Sequence, residues 1–161
     1  MKNAFREVSR IKQSLSHAEC KAVLNEALRG VLAVNGEDGY PYALPINYYY
    51  DAAAATLYFH SGKTGYKVEC LTGSDKACFT VMDKGERKKD EWWLTVKSVI
   101  AFGRVEAVTD RAIIEDISRK LSLRFTHDEK YIQEEIDKYL PATLLLAFRI
   151  EHLTGKVVKE K

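Results

Sequence analysis

The chain has 161 residues and a formal net charge of +2, with 46% apolar and 30% charged residues. That size and apolar content fit one domain, 1–161, with a substantial core. The balance of charge argues against a nucleic-acid-binding stripe, and no apolar run is long enough to span a membrane. The opening MKNAFREVSRIKQSLS lacks the apolar segment of a secretory signal. With Cys20, Cys70 and Cys78 odd in number and without CxxC spacing, a cytoplasmic protein with reduced thiols is expected, Cys70 and Cys78 packing as small apolar groups.

Ser16-His17-Ala18-Glu19 spells a capping box and starts a helix near residue 17. Ala22, Val23, Ala27 and Leu28 would form its apolar stripe, and Gly30 would end it. Two apolar runs then flank Asn35-Gly36-Glu37-Asp38-Gly39, a strong hairpin signal. In the second run Tyr42, Leu44, Ile46, Tyr48 and Tyr50 share one face, while Ala43, Pro45, Asn47 and Tyr49 share the other. Pro45 cannot donate to a ladder and marks an edge or a bulge.

A turn over 51–55 leads to a strand over 56–60 and then to His60-Ser61-Gly62-Lys63-Thr64-Gly65. The Gly-Lys-Thr sequence is not a P-loop, because the required earlier glycine is replaced by Leu57. A short helix follows and ends near Gly73. Amides at its N-terminus, two hydroxyls and Lys63 and Lys67, four apart, would suit a phosphate monoester; a solvated polar loop is the plain alternative. Strands are expected over 76–83, over 92–108 with a bend at Gly103, and over 144–153. GERKKDE reads as a solvated turn. Two helices fall between the last two strands. Asp110 opens one carrying Ile113, Ile117 and Leu121; the other starts near Asp128, carries Ile132 and Ile136, and stops at Pro141.

The order predicts a mainly β fold with peripheral helices (α+β), a six-stranded antiparallel split barrel. A doubly wound parallel sheet does not fit, because strands and helices do not alternate. The histidines His17, His60, His127 and His152 show no metal-ligand spacing, and no nucleophile elbow or dinucleotide fingerprint is present. His60 is either a structural hydrogen-bonder or a catalytic group. The Asn47 amide could read a heteroaromatic edge or bond a neighbouring loop.

The strands GVLAV, YALPINYYYD and SVIAFGRVEAV, the segment LYFHSGKTGYKVECL and the ending LLLAFRIEHLTGK together resemble the FMN-binding split-barrel superfamily of pyridoxamine 5′-phosphate oxidase. The branch it most resembles is the 5-nitroimidazole-resistance type. The resemblance implies a homodimer with FMN, or FAD, at the subunit interface. It places Pro45, Ile46, Asn47 and Tyr48 along the isoalloxazine, and His60, Ser61 and Gly62 at the ribityl and phosphate. Lys67 matches a phosphate-binding lysine, with Lys63 beside it by charge. Ser98 and Val99 would reach the flavin of the partner subunit, and His60 matches a suspected catalytic histidine. The C-terminal HLTGKVVKEK lacks the substrate-binding Arg and His of the enzymes that make pyridoxal phosphate. The implied activity is therefore an oxidoreductase passing electrons from a reduced nicotinamide or another donor through flavin to a small flat acceptor such as a nitroaromatic, in a pocket above the flavin formed by tyrosines with Trp92 or Trp93. A flavin- or haem-binding module without catalysis is the alternative.

Overall fold

The computed structural model describes residues 5–161, the side chain of Asp38 excepted. Helix α1 (His17–Glu26) starts at the predicted box. The Ser16 hydroxyl accepts from the Glu19 amide at 3.3 Å, and the Glu19 carboxylate accepts from the Ser16 amide at 2.8 Å. The helix stops earlier than its sequence suggests. Its buried residues are Cys20, Val23 and Leu24, Ala22 is exposed, and Leu28 and Gly30 lie beyond it. The reason is tertiary. Its last carbonyls are satisfied from outside, that of Leu24 by the Tyr48 hydroxyl at 2.8 Å and that of Asn25 by Arg124 at 2.9 Å.

Strands β1 (Arg29–Asn35) and β2 (Pro41–Asn47) form the predicted hairpin around a single helical turn at Glu37–Gly39. Strands β3 (Tyr49–Asp51) and β4 (Thr56–Gly62) form a second hairpin. Helix α2 (Tyr66–Gly73), strand β5 (Lys76–Met82) and strand β6 (Thr95–Val108) follow. Helices α3 (Arg111–Ser122) and α4 (Glu129–Tyr139) then lead to strand β7 (Thr143–Lys159). Among the described residues no helix is long and apolar enough to cross a membrane.

All paired strands are antiparallel, in the order β2-β1-β5-β6-β7-β4-β3. The two ends of that order, β2 and β3, are separated in the chain by Tyr48 alone. In a flat sheet they would lie roughly 29 Å apart, at about 4.8 Å per strand. A one-residue link cannot span that distance, so the sheet curls until its edges meet. The six strands expected are thus seven. The tyrosine-rich segment pairs with β1 as far as Asn47 and with β4 from Tyr49.

Alternation along the strands fills the interior. Leu32, Tyr48, Leu57, Phe59, Phe79 and Phe148 are fully buried there. The Phe79 ring meets Tyr48 edge-on, with centroids 4.9 Å apart, and lies 5.5 Å from Phe59. Strand β7 extends past the expected residue 153 to Lys159, pairing with β6 throughout. Strand β6 begins at Thr95, so Trp92 and Trp93 belong to the preceding loop.

Candidate functional site

The outward face of β2, the end of β4 and the buried side of α3 converge on one cleft. Arg29, Pro45, Ile46, Asn47, His60 and Leu121 border it, and it encloses about 360 Å³. An adjoining groove of about 410 Å³ shares Arg29 and Pro45 and runs over Thr80 to Asp83 as far as Ser98. Both volumes lie within the ordinary range of small-molecule sites. The predicted residues Pro45, Ile46, Asn47 and His60 thus come together, and Ser98 lies one groove along. Ile46 also packs its side chain against the core.

The polar groups of the cleft can be assigned from their partners. Arg29 Nε donates to Asn47 Oδ1 at 2.9 Å. A guanidinium has no acceptor, so this bond fixes the amide with its oxygen towards Arg29 and its NH₂ turned away. The remaining Arg29 N–H groups and the Asn47 NH₂ have no partner among the described residues. On the opposite wall His60 Nε2 lies 2.8 Å from Ser118 Oγ. Burial holds the His60 imidazole below its ordinary value, so the ring is neutral at neutral pH. The cleft therefore presents hydrogen-bond donors beside an uncharged imidazole.

The turn after β4 is organised differently from its charge pattern. The Ser61 hydroxyl donates to the Gly62 carbonyl at 2.8 Å, and Lys63 Nζ donates to the Pro141 carbonyl at 2.6 Å. Lys63 therefore ties the turn to the connection before β7. Gly65 precedes α2 with φ +115°, a conformation that needs glycine. Lys67, in the first turn of α2, is half-buried and has no hydrogen-bond or ion-pair partner among the described residues. Burial pushes its ammonium below the usual lysine value. Of the two predicted cations, it is the one left available.

The family model for pyridoxamine 5′-phosphate oxidase matches residues 16–157, which include every residue named for the site. The chain belongs to the pyridoxamine 5′-phosphate oxidase family. No curated protein matches it. Among solved structures it is similar to a candidate 5-nitroimidazole antibiotic resistance protein from Bacteroides thetaiotaomicron, with TM-score 0.75 and 19% identity over 91% of this chain and 87% of that one. It is also similar to an FAD-binding protein from Mesorhizobium loti, with TM-score 0.65 and 25% identity over 91% and 97% of the two chains. A third similar structure is an FAD- and haem-binding protein from Mycobacterium smegmatis, with TM-score 0.64 and 21% identity over 93% and 74%.

Within this pyridoxamine 5′-phosphate oxidase family member several sequence assignments change. The Tyr48 side chain is fully buried and its hydroxyl is held by Leu24, so it belongs to the barrel core and does not line the cleft. Val99 is 1% exposed and also points inward, which leaves only its main chain for any ligand. Trp92 and Trp93 border neither cleft. Trp92 is 69% exposed, and Trp93 lies under Lys161, whose Nζ is 4.7 Å from the ring centroid. Arg29, Ser118 and Leu121 were missed. Arg29 had a local clue, an unpaired cation opening a strand. Ser118 and Leu121 had none, because they read as ordinary positions of an amphipathic helix. Among the described residues no cluster of three metal-binding side chains occurs.

Proposed function

We propose that this family member binds a flavin, FMN in the first place and FAD as the alternative, and works as an oxidoreductase on a small flat acceptor such as a nitroaromatic. The carrying observation is the donor-lined cleft: Arg29, Asn47 and His60 face a space suited to the acceptor-rich edge of an isoalloxazine. The residues fit the cofactor. Pro45 and Leu121 offer apolar contact to a ring, and Lys67, which borders neither groove but is half-buried and without a partner among the described residues, offers a cation for the phosphate. The M. loti and M. smegmatis relatives, described as FAD-binding, support the same class of ligand. When bound, flavin would supply electron transfer from a reduced nicotinamide to the acceptor. The protein's own part is to orient the ring edge through donors, to shield it with Leu121 and α3, and to hold a proton on His60.

We propose also that the site is completed by a second copy. The outward face of β5 and β6 beside Ser98 exposes Met82 at 67%, Ile100 at 41% and Phe102 at 38%. Such an apolar face suits an interface between subunits.

The first test is a visible spectrum of the purified protein with chromatography of the released chromophore. A two-band flavin spectrum is expected. A Soret band would replace the proposal with haem binding, and a colourless protein that takes up neither FMN nor FAD would overturn it. Turnover of pyridoxine phosphate would move the substrate assignment to the family's namesake reaction.

A further inference from the structure

Behind His60 lies a second, smaller cavity of about 140 Å³, set between α3, α4 and the start of β7. His60, Ser118, Ser122, Glu135, Tyr139 and Thr143 give it a polar lining. His60 borders both this cavity and the cleft. Ser118 is only 4% exposed, and its sole hydrogen-bond partner among the described residues is His60 Nε2.

The Ser118–His60 bond can run in either direction, so the tautomer turns on which of the two groups can find a partner elsewhere. A buried hydroxyl needs an acceptor for its proton. If His60 carried its proton on Nε2, the Ser118 O–H would have no protein acceptor. With Nε2 bare, Ser118 donates to it, and the imidazole proton must sit on Nδ1. Among the described residues Nδ1 has no partner.

We propose that Ser118 is a positioning residue that locks His60 as the neutral Nδ1–H tautomer, making it a fixed hydrogen-bond donor to an acceptor atom (a carbonyl, ring nitrogen or nitro oxygen) of the molecule in the cleft. The substrates favoured are those that bring such an atom to His60; an ammonium is disfavoured beside Arg29. The charged or titratable groups facing the ring are Arg29 from the cleft and Glu135 and Tyr139 from α4 behind it. The substrate part rests on the flavin reading, whereas the tautomer does not.

The test is ¹⁵N NMR of the histidine ring nitrogens in the full chain at neutral pH, before and after adding FMN. One signal set for His60 with a protonated Nδ1 and a bare Nε2 is expected in both. In Ser118→Ala the single tautomer is lost to a mixture, and Ser118→Thr restores it. With flavin content unchanged, Ser118→Ala should lower kcat by about a hundredfold with little change in KM, the scale of a misplaced group at an active site. A protonated Nε2 in the unmutated protein would overturn the proposal, even if Ser118→Ala failed to fold. So would a Ser118→Ala protein with an unchanged tautomer. A correct tautomer in a protein that takes up no flavin would remove the flavin reading and leave the Ser118–His60 assignment intact.

Discussion

At the scale of single residues, Lys67 and His60 are both bases whose charged form is disfavoured by burial. For such groups the unfolded chain binds protons more readily, so folding stability rises with pH across the window between the folded and ordinary values. For Lys67 that window lies below 10.5, and the penalty is fully present below its folded value. Lys67→Met should therefore leave the stability of the ligand-free protein equal or higher while weakening flavin binding. A loss of about 1.5–3 kcal/mol is expected in a fluorescence titration, the scale of a hydrogen bond to a charged group. Unchanged affinity would remove Lys67 from the phosphate site. For His60 the window lies below 6.5. Urea melts of the ligand-free protein should show stability falling as the pH drops through it, and His60→Gln should flatten that part of the profile. Tyr48 separates core from cofactor. Tyr48→Phe removes the donor to the Leu24 carbonyl and should cost about 1 kcal/mol in a denaturant melt. It should leave flavin affinity unchanged, since the ring points into the barrel.

At the scale of elements, β6 and β7 are bent where they pair. Pairing between them shifts register at Phe102/Gly103, where Glu151 is the extra residue on β7. A Cβ at Gly103 would overlap the Arg149 carbonyl oxygen, so only glycine allows the two backbones this close. Gly103→Ala should destabilise the fold by about 1–3 kcal/mol, the usual cost of forcing atoms into a packed region. The midpoint of urea unfolding reads this directly. Helix α3 is the other decisive element. Asp110 caps it by accepting from the Ala112 and Ile113 amides, and Ile117 and Leu121 bury its inner face. That same face brings Ser118 to His60 and Leu121 to the cleft, so packing the helix and building the site are one event.

At the scale of the whole molecule, closure of the barrel brings β2 and β4 together, and Asn47 and His60 with them. The apolar outer face left by β5 and β6 is the surface proposed above for a second subunit. Ile100→Glu would place a charge on it without entering the core. If the proposed dimer forms, sedimentation should show a dimer for the unmutated protein and, for Ile100→Glu, a monomer with normal circular dichroism and reduced flavin content. A flavin-loaded monomer in either protein would place the complete site within one chain.

The sequence alone determined the elements whose signals are local. The capping box gave the start of α1, the turn residues gave the β1–β2 hairpin, and Asp110 and Asp128 gave the starts of α3 and α4. Period-two alternation put Leu44 and Ile46 on one face and Pro45 and Asn47 on the other, because side-chain direction in a strand is a property of the backbone. Only the tertiary structure decided what depends on distant partners. Tyr48 looked like part of an aromatic ligand wall, but barrel closure turned it into a core residue and a cap for α1. Lys63 stood beside Lys67 as a second phosphate cation by charge, but the Pro141 carbonyl engages it and leaves Lys67. Ser118 carried no signal, since a serine on a helix becomes a partner of His60 only when α3 docks across 58 positions of sequence. Local periodicity is written residue by residue, whereas a site assembled from four elements exists only once the chain has closed on itself.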